Sequence, residues 1–326
     1  MTEKREINVS RDSLYTRLAL VAAIMTFMLI VIGAITRVSE SGMGCGTYWP
    51  DCNGRLIPEF ANTAVVIEFS HRIFAGLVGL AALALLIAAF RSHRREPRLF
   101  YPAVLGMVLY VLQSLLGALT VITSNEWVSV LLHLANSTFL LACFVIAWIN
   151  ARGVETTDRQ PRPSMAEIVL GTALAFGVVM VGAAVAGNNA TKACVGWPLC
   201  LGEIWPVDQG SLQVLNMTHR LVAGLLGIVL LYLFFRARAG GKGLLYSAIQ
   251  VALALYVLQA AVGAAVVLIN SPEWLVVAQS LHVTLAAATW SVMILSSGVV
   301  WLQQQSSKVT ATRDGRLTAP SATISN

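Results

Sequence analysis

The sequence predicts an all-α integral membrane protein whose eight transmembrane helices form two four-helix bundles. Three observations predict this fold: the composition, the length of the apolar runs and an internal repeat. Of the 326 residues, 57% are hydrophobic and only 12% are charged, with a mean hydropathy of +0.73. A soluble domain has about twice that charged fraction, because water covers its whole surface. A bilayer that replaces water over most of the surface explains the low charge.

Eight apolar runs are long enough to cross the membrane as helices. A hydrocarbon core of roughly 30 Å requires about 20 helical residues. The runs cover residues 18–36, 65–90, 101–123, 128–149, 166–187, 213–235, 244–269 and 275–301. The first run is too long for a signal peptide and has no convincing small-residue cleavage site, so we expect it to remain as the first helix.

The basic residues predict how the helices are oriented. Most of the 22 Lys and Arg residues lie in the two terminal tails and in the segments near 91–99, 150–165 and 236–243. Cytoplasmic segments carry an excess of Lys and Arg, so both termini should be cytoplasmic in a cell membrane. The formal net charge of +6 follows from this topology, and we do not expect nucleic-acid binding. We expect His93, in one of these basic segments, to be solvated.

An internal repeat divides the chain into two halves. Matching segments occur in the same order and at nearly the same spacing: Trp49–Gly54 and Trp197–Gly202, His71 and His219, Leu109–Gln113 and Leu255–Gln259, and His133 and His282. Four spans in each half return the chain to its starting side. The halves should therefore be parallel and related by a pseudo-twofold axis along the membrane normal.

The repeat and the spans together predict the domain organisation. We expect a cytoplasmic N-terminal tail, an N-terminal bundle, a cytoplasmic linker, a C-terminal bundle and a cytoplasmic tail, at residues 1–17, 18–149, 150–165, 166–301 and 302–326. The polar composition of the last segment predicts disorder.

Four of the five histidines lie near the exterior ends of even-numbered spans: His71, His133, His219 and His282. Ionisable side chains inside a membrane indicate a functional site. Two imidazoles on facing helices of a bundle can hold a planar macrocycle between them, so paired haem sites are the favoured interpretation. One alternative is hydrogen bonding between helices. Zinc is disfavoured because only Glu68 could add a ligand at this depth.

Three arginines lie near the exterior boundary of these sites. Arg72 and Arg220 each follow a histidine directly, and Arg37 ends the first span. A haem would present its propionates at this level, so we expect these arginines to help to bind it. The alternative is that they extend to the interface without a ligand.

Glu68 distinguishes the first half from the second. It lies three residues before His71 and therefore on the same helix face, whereas the second half has Asn216 at this position. A carboxylate beside a haem could accept a proton or stabilise positive charge on the porphyrin. The alternative is a structural ion pair with Arg37 or Arg72. The asymmetry suggests that one half reacts and the other holds a permanent haem.

Four cysteines lie in two exterior loops, Cys45 with Cys52 and Cys194 with Cys200. Because the exterior is oxidising, two loop-closing disulfides are the favoured interpretation. Thiol–disulfide exchange by the first pair is the alternative. Cys143 lies within a span and should belong to the core.

These motifs resemble the heme A synthase family in its cysteine-containing bacterial form. The resemblance covers residues 17–301 and is carried by Gly33–Gly42, the paired Trp-Pro-x-Cys-x-Gly loops, Glu68–Arg72 and the later histidines. It implies oxidation of the C8 methyl of haem O to a formyl group by successive hydroxylations. It also implies that His71 and His133 flank haem O with Glu68 as the catalytic carboxylate.

By the same resemblance, His219 and His282 ligate a resident haem b, and the cysteine pairs are exterior disulfides. Haem O synthase and a terminal oxidase would be partners, and the Gly-rich helix faces permit a homo-oligomer. Two other functions remain open from the residues alone. One is a dihaem electron-transfer cytochrome, and the other is a haem transporter or chaperone.

Overall fold

A computed structural model describes residues 5–6, 13–60, 62–156 and 163–317 of the chain. Its helices are α1 (Ser13–Val38), α2 (Thr63–Ser92), α3 (Pro97–Ile122), α4 (Trp127–Arg152), α5 (Met165–Gly187), α6 (Ser211–Gly240), α7 (Leu244–Leu268) and α8 (Pro272–Leu317). All eight are long and apolar enough to cross a membrane. The predicted all-α membrane fold is confirmed.

The helices pack as two sets of four, with the same neighbours in each set. In the first set α1 contacts α2 and α4, and α3 contacts α2 and α4. In the second set α5 contacts α6 and α8, and α7 contacts α6 and α8. Between the sets, α4 packs on its counterpart α8. Helix α1 also contacts α8, and in the same way α5 contacts α4. Every packed pair of helices thus has the counterpart that a twofold-related duplication requires.

Aromatic side chains fill the boundary between the two sets. The ring centres of Phe139 and Phe176 lie 5.0 Å apart, and those of Phe176 and Trp290 lie 5.8 Å apart. The indole Nε1–H of Trp290, a residue only 4% exposed, donates to the Thr138 carbonyl at 2.9 Å. Contact between these rings and the hydrogen-bonded, buried indole of Trp290 join α8 to α4 near the axis.

Polar side chains cap the N-termini of α2 and α4, the two helices that carry the histidines of the first half. Asn62 precedes α2 and accepts a hydrogen bond from the Val65 N–H at 3.0 Å. Glu126 precedes α4 and accepts from the Val128 and Ser129 N–H groups at 2.9 and 3.2 Å. Each cap satisfies backbone donors that a helix start would otherwise leave unpaired.

The structure differs from the predicted organisation at the face that carries both termini. Helix α8 continues to Leu317, whereas the composition of the segment from residue 302 predicts disorder; residues 318–326 lie outside the described residues. A two-residue strand, β1 (Arg5–Glu6), pairs antiparallel with β2 (Glu155–Thr156). These strands lie in the predicted tail and linker, and residues 1–4, 7–12 and 157–162 are not described.

The prediction that His93 is solvated is wrong, because only 3% of its surface is exposed. Its Nδ1 lies 2.9 Å from Glu96 Oε1, and its ring meets the edge of Tyr15 at a centroid distance of 4.9 Å. The turn between α2 and α3 folds this imidazole under α1, where a local carboxylate satisfies it. The nearby charges gave no indication of that burial.

Candidate functional site: paired histidines at one end of each bundle

The four histidines occupy corresponding places in the two bundles. His71, His133, His219 and His282 lie within the first three turns of α2, α4, α6 and α8. Each is partly buried. Since alternate helices begin at the face opposite the termini, all four lie toward that face.

A glycine on the preceding helix faces each of these imidazoles. A Cβ added at that glycine would lie between 2.9 and 3.3 Å from the nearest imidazole atom, for the pairs Gly33 with His71, Gly117 with His133, Gly182 with His219 and Gly263 with His282. Any larger residue would push the ring aside. Glycines on the odd-numbered helices α1, α3, α5 and α7 thus set the positions of the imidazoles on the even-numbered helices that follow them.

The histidine pair of the second half has the separation of two axial ligands. The ring centres of His219 and His282 lie 6.3 Å apart, with planes at 74°. An imidazole nitrogen lies roughly 1.2 Å from its ring centre and binds a metal at about 2.0 Å, so two axial imidazoles have centres about 6.4 Å apart. The observed separation fits one metal ion between the rings.

A backbone contact fixes the tautomer of His282. Its Nδ1 lies 3.1 Å from the carbonyl oxygen of Gln259. Because a carbonyl only accepts, Nδ1 carries the proton and Nε2 keeps its lone pair. A metal-ligating histidine is usually oriented by such a bond from its other ring nitrogen. His282 is therefore arranged to bind a metal through Nε2.

The first half holds its second histidine through a different network. The Gln113 Nε2–H group donates to the His133 carbonyl at 3.0 Å, and Asn136 Nδ2 donates to Gln113 Oε1 at 2.7 Å. Nδ1 of His133 is buried and has no hydrogen-bond partner. Nδ1 of His219 in the second pair is likewise buried without a partner. Among the described contacts, the two pairs therefore differ in the ring contact of His282 with the Gln259 carbonyl.

Glu68 is almost completely buried, with 4% of its surface exposed. Its Oε2 accepts from the backbone N–H of Cys45 at 2.8 Å, and its Oε1 forms an ion pair with Arg72. Both oxygens of Glu68 are thus held. The ion pair with Arg72, which the sequence offered as the structural alternative to a catalytic role, is present. Such an arrangement holds the carboxylate in place one turn from His71.

Arg72 and Arg220 bind the loops that precede their helices. Arg72 Nη1 donates to the carbonyls of Tyr48 at 2.9 Å and Asp51 at 2.6 Å, with Pro50 O at 3.5 Å. Arg220 Nη1 donates to the corresponding carbonyls of the second loop, Gly196, Pro198 and Leu199, at 2.9, 3.2 and 2.9 Å. The sequence reasoning missed this role because backbone acceptors leave no trace in the side-chain pattern.

Asn216 occupies the place of Glu68 in the second half and, without a charge, also contacts both the arginine and the loop. Its Oδ1 accepts from Arg220 Nε at 2.9 Å, and its Nδ2 donates to the Ala190 carbonyl at 2.7 Å. A neutral amide is therefore enough to hold the arginine and the loop together. The negative charge of Glu68 is not required for this architecture.

The charges at the rim of the two sites also differ. Arg37 is exposed in the last turn of α1, on the first half only. In the second half Lys192 donates to the Val267 and Ile269 carbonyls at 2.8 and 2.5 Å. Arg220 has only neutral partners among its described contacts, whereas Glu68 offsets the charge of Arg72.

The two predicted disulfides are present, Cys45–Cys52 and Cys194–Cys200, and each closes a loop. Each loop also contains an isolated β-bridge, between Cys52 and Arg55 and between Cys200 and Glu203. Cys143 is buried and free, in agreement with the prediction.

The sequence reasoning missed the glycines and one tyrosine in each half. Tyr110 and Tyr256 donate to the Ala75 and Ala223 carbonyls at 3.2 and 2.8 Å, which ties α3 to α2 and α7 to α6. The repeated Leu-Tyr-Val-Leu-Gln segment contained this signal. A glycine follows four residues after its glutamine in both halves, and that spacing places the two on one helix face.

The eight apolar spans define a polytopic membrane protein. Its paired imidazoles, set against glycines, and the buried unpartnered Nδ1 atoms of His133 and His219 suit haem ligation. The family model described as cytochrome oxidase assembly protein (COX15-CtaA) matches residues 16–294. Similar proteins named heme A synthase include that of Exiguobacterium sp., 34% identical over 75% of this chain and 80% of its own length. Those of Shouchella clausii and Halalkalibacterium halodurans are each 32% identical, over 77% and 82% of this chain and 86% and 93% of theirs. The chain belongs to the heme A synthase family.

Proposed function

We propose that this protein oxidises the C8 methyl group of haem O to a formyl group by successive hydroxylations, giving haem A. The observation that carries the proposal is the buried carboxylate of Glu68 beside His71, where the second half has a neutral amide. Burying a charge is costly, and Asn216 shows that the architecture does not need one. A function in the first half accounts for its presence.

Haem O is proposed to bind in the N-terminal bundle, residues 18–149, between His71 and His133. Nδ1 of His133 has no partner among the described contacts, whereas Nδ1 of His282 has one, and this difference suits a substrate that enters and a product that leaves. Glu68 lies one turn from His71 and can accept the proton that a methyl group loses as it is oxidised. Its fixed negative charge also stabilises positive charge that develops on the porphyrin.

A resident haem b is proposed for the C-terminal bundle, residues 166–301, with His219 and His282 as its ligands. The 6.3 Å separation of the rings and the fixed tautomer of His282 support permanent ligation. When bound, this haem supplies one-electron redox chemistry. The chain's own part is to hold the two imidazoles against Gly182 and Gly263.

The rim residues are proposed to attract the propionates of the two haems. Arg37 contributes at the first site, and Arg220 with Lys192 at the second. Arg72 adds less, because Glu68 offsets its charge. Two cations at the rim of the second site match a dianionic ligand that stays bound.

The topology and partners follow from the same assignment. We propose that both termini are cytoplasmic and that the haem sites lie near the exterior face, where the disulfides form. Haem O synthase as supplier, a terminal oxidase as recipient and a homo-oligomer remain proposals.

Extraction of haems from membranes supplied with haem O tests the proposed function. Membranes containing the wild type should yield haem A or its hydroxylated intermediate, identified by chromatography and mass spectrometry. Glu68→Gln keeps the size of the side chain and removes its charge, and product formation should fall by about 10²- to 10⁴-fold. Unmodified haem from both proteins would instead favour the dihaem electron-transfer cytochrome.

A further inference from the structure

We infer that Arg72 is a positioning residue for Glu68, and that the disulfide-closed loop Cys45–Cys52 is the anchor through which it acts. The inference rests on the proposed catalytic role of Glu68. It concerns the ion pair, the loop carbonyls and the Cys45 amide, which together hold one carboxylate in place.

The carboxylate is held from two sides by groups that the loop itself fixes. Arg72 approaches one oxygen from one turn further along α2, and the Cys45 N–H approaches the other from the loop. Cys45 is bonded to Cys52, so the amide cannot move without the loop. Two donors on opposite oxygens remove the rotation that a glutamate side chain otherwise retains.

Arg72 is itself held by the same loop. Its Nη1 reaches the carbonyls of Tyr48 and Asp51 at 2.9 and 2.6 Å, while its Nη2 reaches Glu68. The planar guanidinium transmits the loop position to the carboxylate, since its nitrogens keep fixed angles. A lysine has one nitrogen and cannot reproduce both directions at once.

The second half provides the comparison that isolates this role. Arg220 makes the corresponding loop contacts, with a further one from its Nη2 to the Cys194 carbonyl at 3.4 Å, but the side chain it reaches is the amide of Asn216. Loop attachment is therefore common to both arginines. Holding a carboxylate is specific to Arg72, so its loss should affect the reaction through Glu68.

Steady-state turnover of haem O by the purified full chain, with haem A measured by mass spectrometry, tests the inference. Arg72→Gln should lower kcat about 10²-fold with KM changed less than about threefold, because a displacement near 1 Å costs this much in rate. Arg72→Lys should recover roughly a tenth of the wild-type rate, because lysine restores the positive charge but not the several fixed N–H directions of the guanidinium. The resident haem spectrum reports that each variant is folded.

A double variant separates positioning from a general structural effect. If Arg72 acts through Glu68, the slow residual rate of Glu68→Gln should change less than about twofold on adding Arg72→Gln. Arg220→Gln serves as the matched control and should lower the rate by the same factor in both backgrounds. It removes the corresponding loop contacts but touches no carboxylate.

Three results would overturn the inference. A raised KM with unchanged kcat in Arg72→Gln would make Arg72 a substrate-binding residue. An equal loss from Arg72→Gln with and without Glu68→Gln would make its effect independent of Glu68, and the proposed function would stand. Full activity of Glu68→Gln would remove both the catalytic role of Glu68 and the positioning role of Arg72.

Discussion

Replacing Gly182 by alanine tests whether the glycines set the positions of the imidazoles. A Cβ at Gly182 would lie 2.9 Å from Cε1 of His219. Carbon atoms in favourable contact are about 3.5–4.0 Å apart, so the ring must move by at least ~0.6 Å. Metal–ligand distances tolerate only about 0.2 Å. Overpacking of this kind costs about 1–3 kcal/mol, which corresponds to roughly 5- to 150-fold weaker haem binding.

The assay is the haem content and the reduced-minus-oxidised spectrum of the purified variant. Gly177→Ala is the matched control on the same helix, because a Cβ there meets no described atom within 4 Å. Five residues of rotation place it about 140° around α5 from Gly182. Both alanines should favour the helix by about 0.5–1 kcal/mol, so helix stability does not distinguish them.

The two variants should therefore differ in haem and resemble each other in helix content. Gly182→Ala should lose most of its haem b or change its ligation, and Gly177→Ala should keep the wild-type spectrum. Equal haem content and identical spectra in the two variants would show that the close glycine contact does not position His219.

Two further predictions concern buried hydrogen bonds. Asn136→Leu copies the leucine that the second half has at this position and leaves Gln113 Oε1 without its 2.7 Å donor. Its free energy of unfolding in detergent should fall by about 1–3 kcal/mol, and an unchanged value would show that the network adds no stability. Trp290→Phe removes the 2.9 Å bond to the Thr138 carbonyl between the two bundles. The cost should be about 1 kcal/mol or more, measured by denaturant unfolding, and a more stable variant would contradict this assignment.

The sequence contained enough information to predict the spans, the repeat and the cysteine pairs. Hydrophobic length sets the helices, because backbone polar groups must be satisfied inside the bilayer. Repeated motifs then brought His71 and His133 into one bundle and His219 and His282 into the other. These features depend on residue type and spacing alone.

Other features could not be predicted because they depend on backbone atoms or on close approach. The contacts of Arg72 and Arg220 go mainly to loop carbonyls, which every residue offers alike. The buried place of His93 depends on how the α2–α3 turn folds under α1. The helical part of the segment after residue 302 runs on from α8, although its composition is polar.

The haem composition of wild type, His71→Ala and His282→Ala tests the central claim most directly, which is that the two halves use one architecture for different tasks. After incubation with haem O, the wild type should yield haem b unchanged and a product in which oxygen replaces two hydrogens of the methyl group. His71→Ala should keep haem b and form no product, and His282→Ala should lose haem b. Retention of haem b by His282→Ala with its loss from His71→Ala, or unconverted haem O in the wild type, would contradict the account.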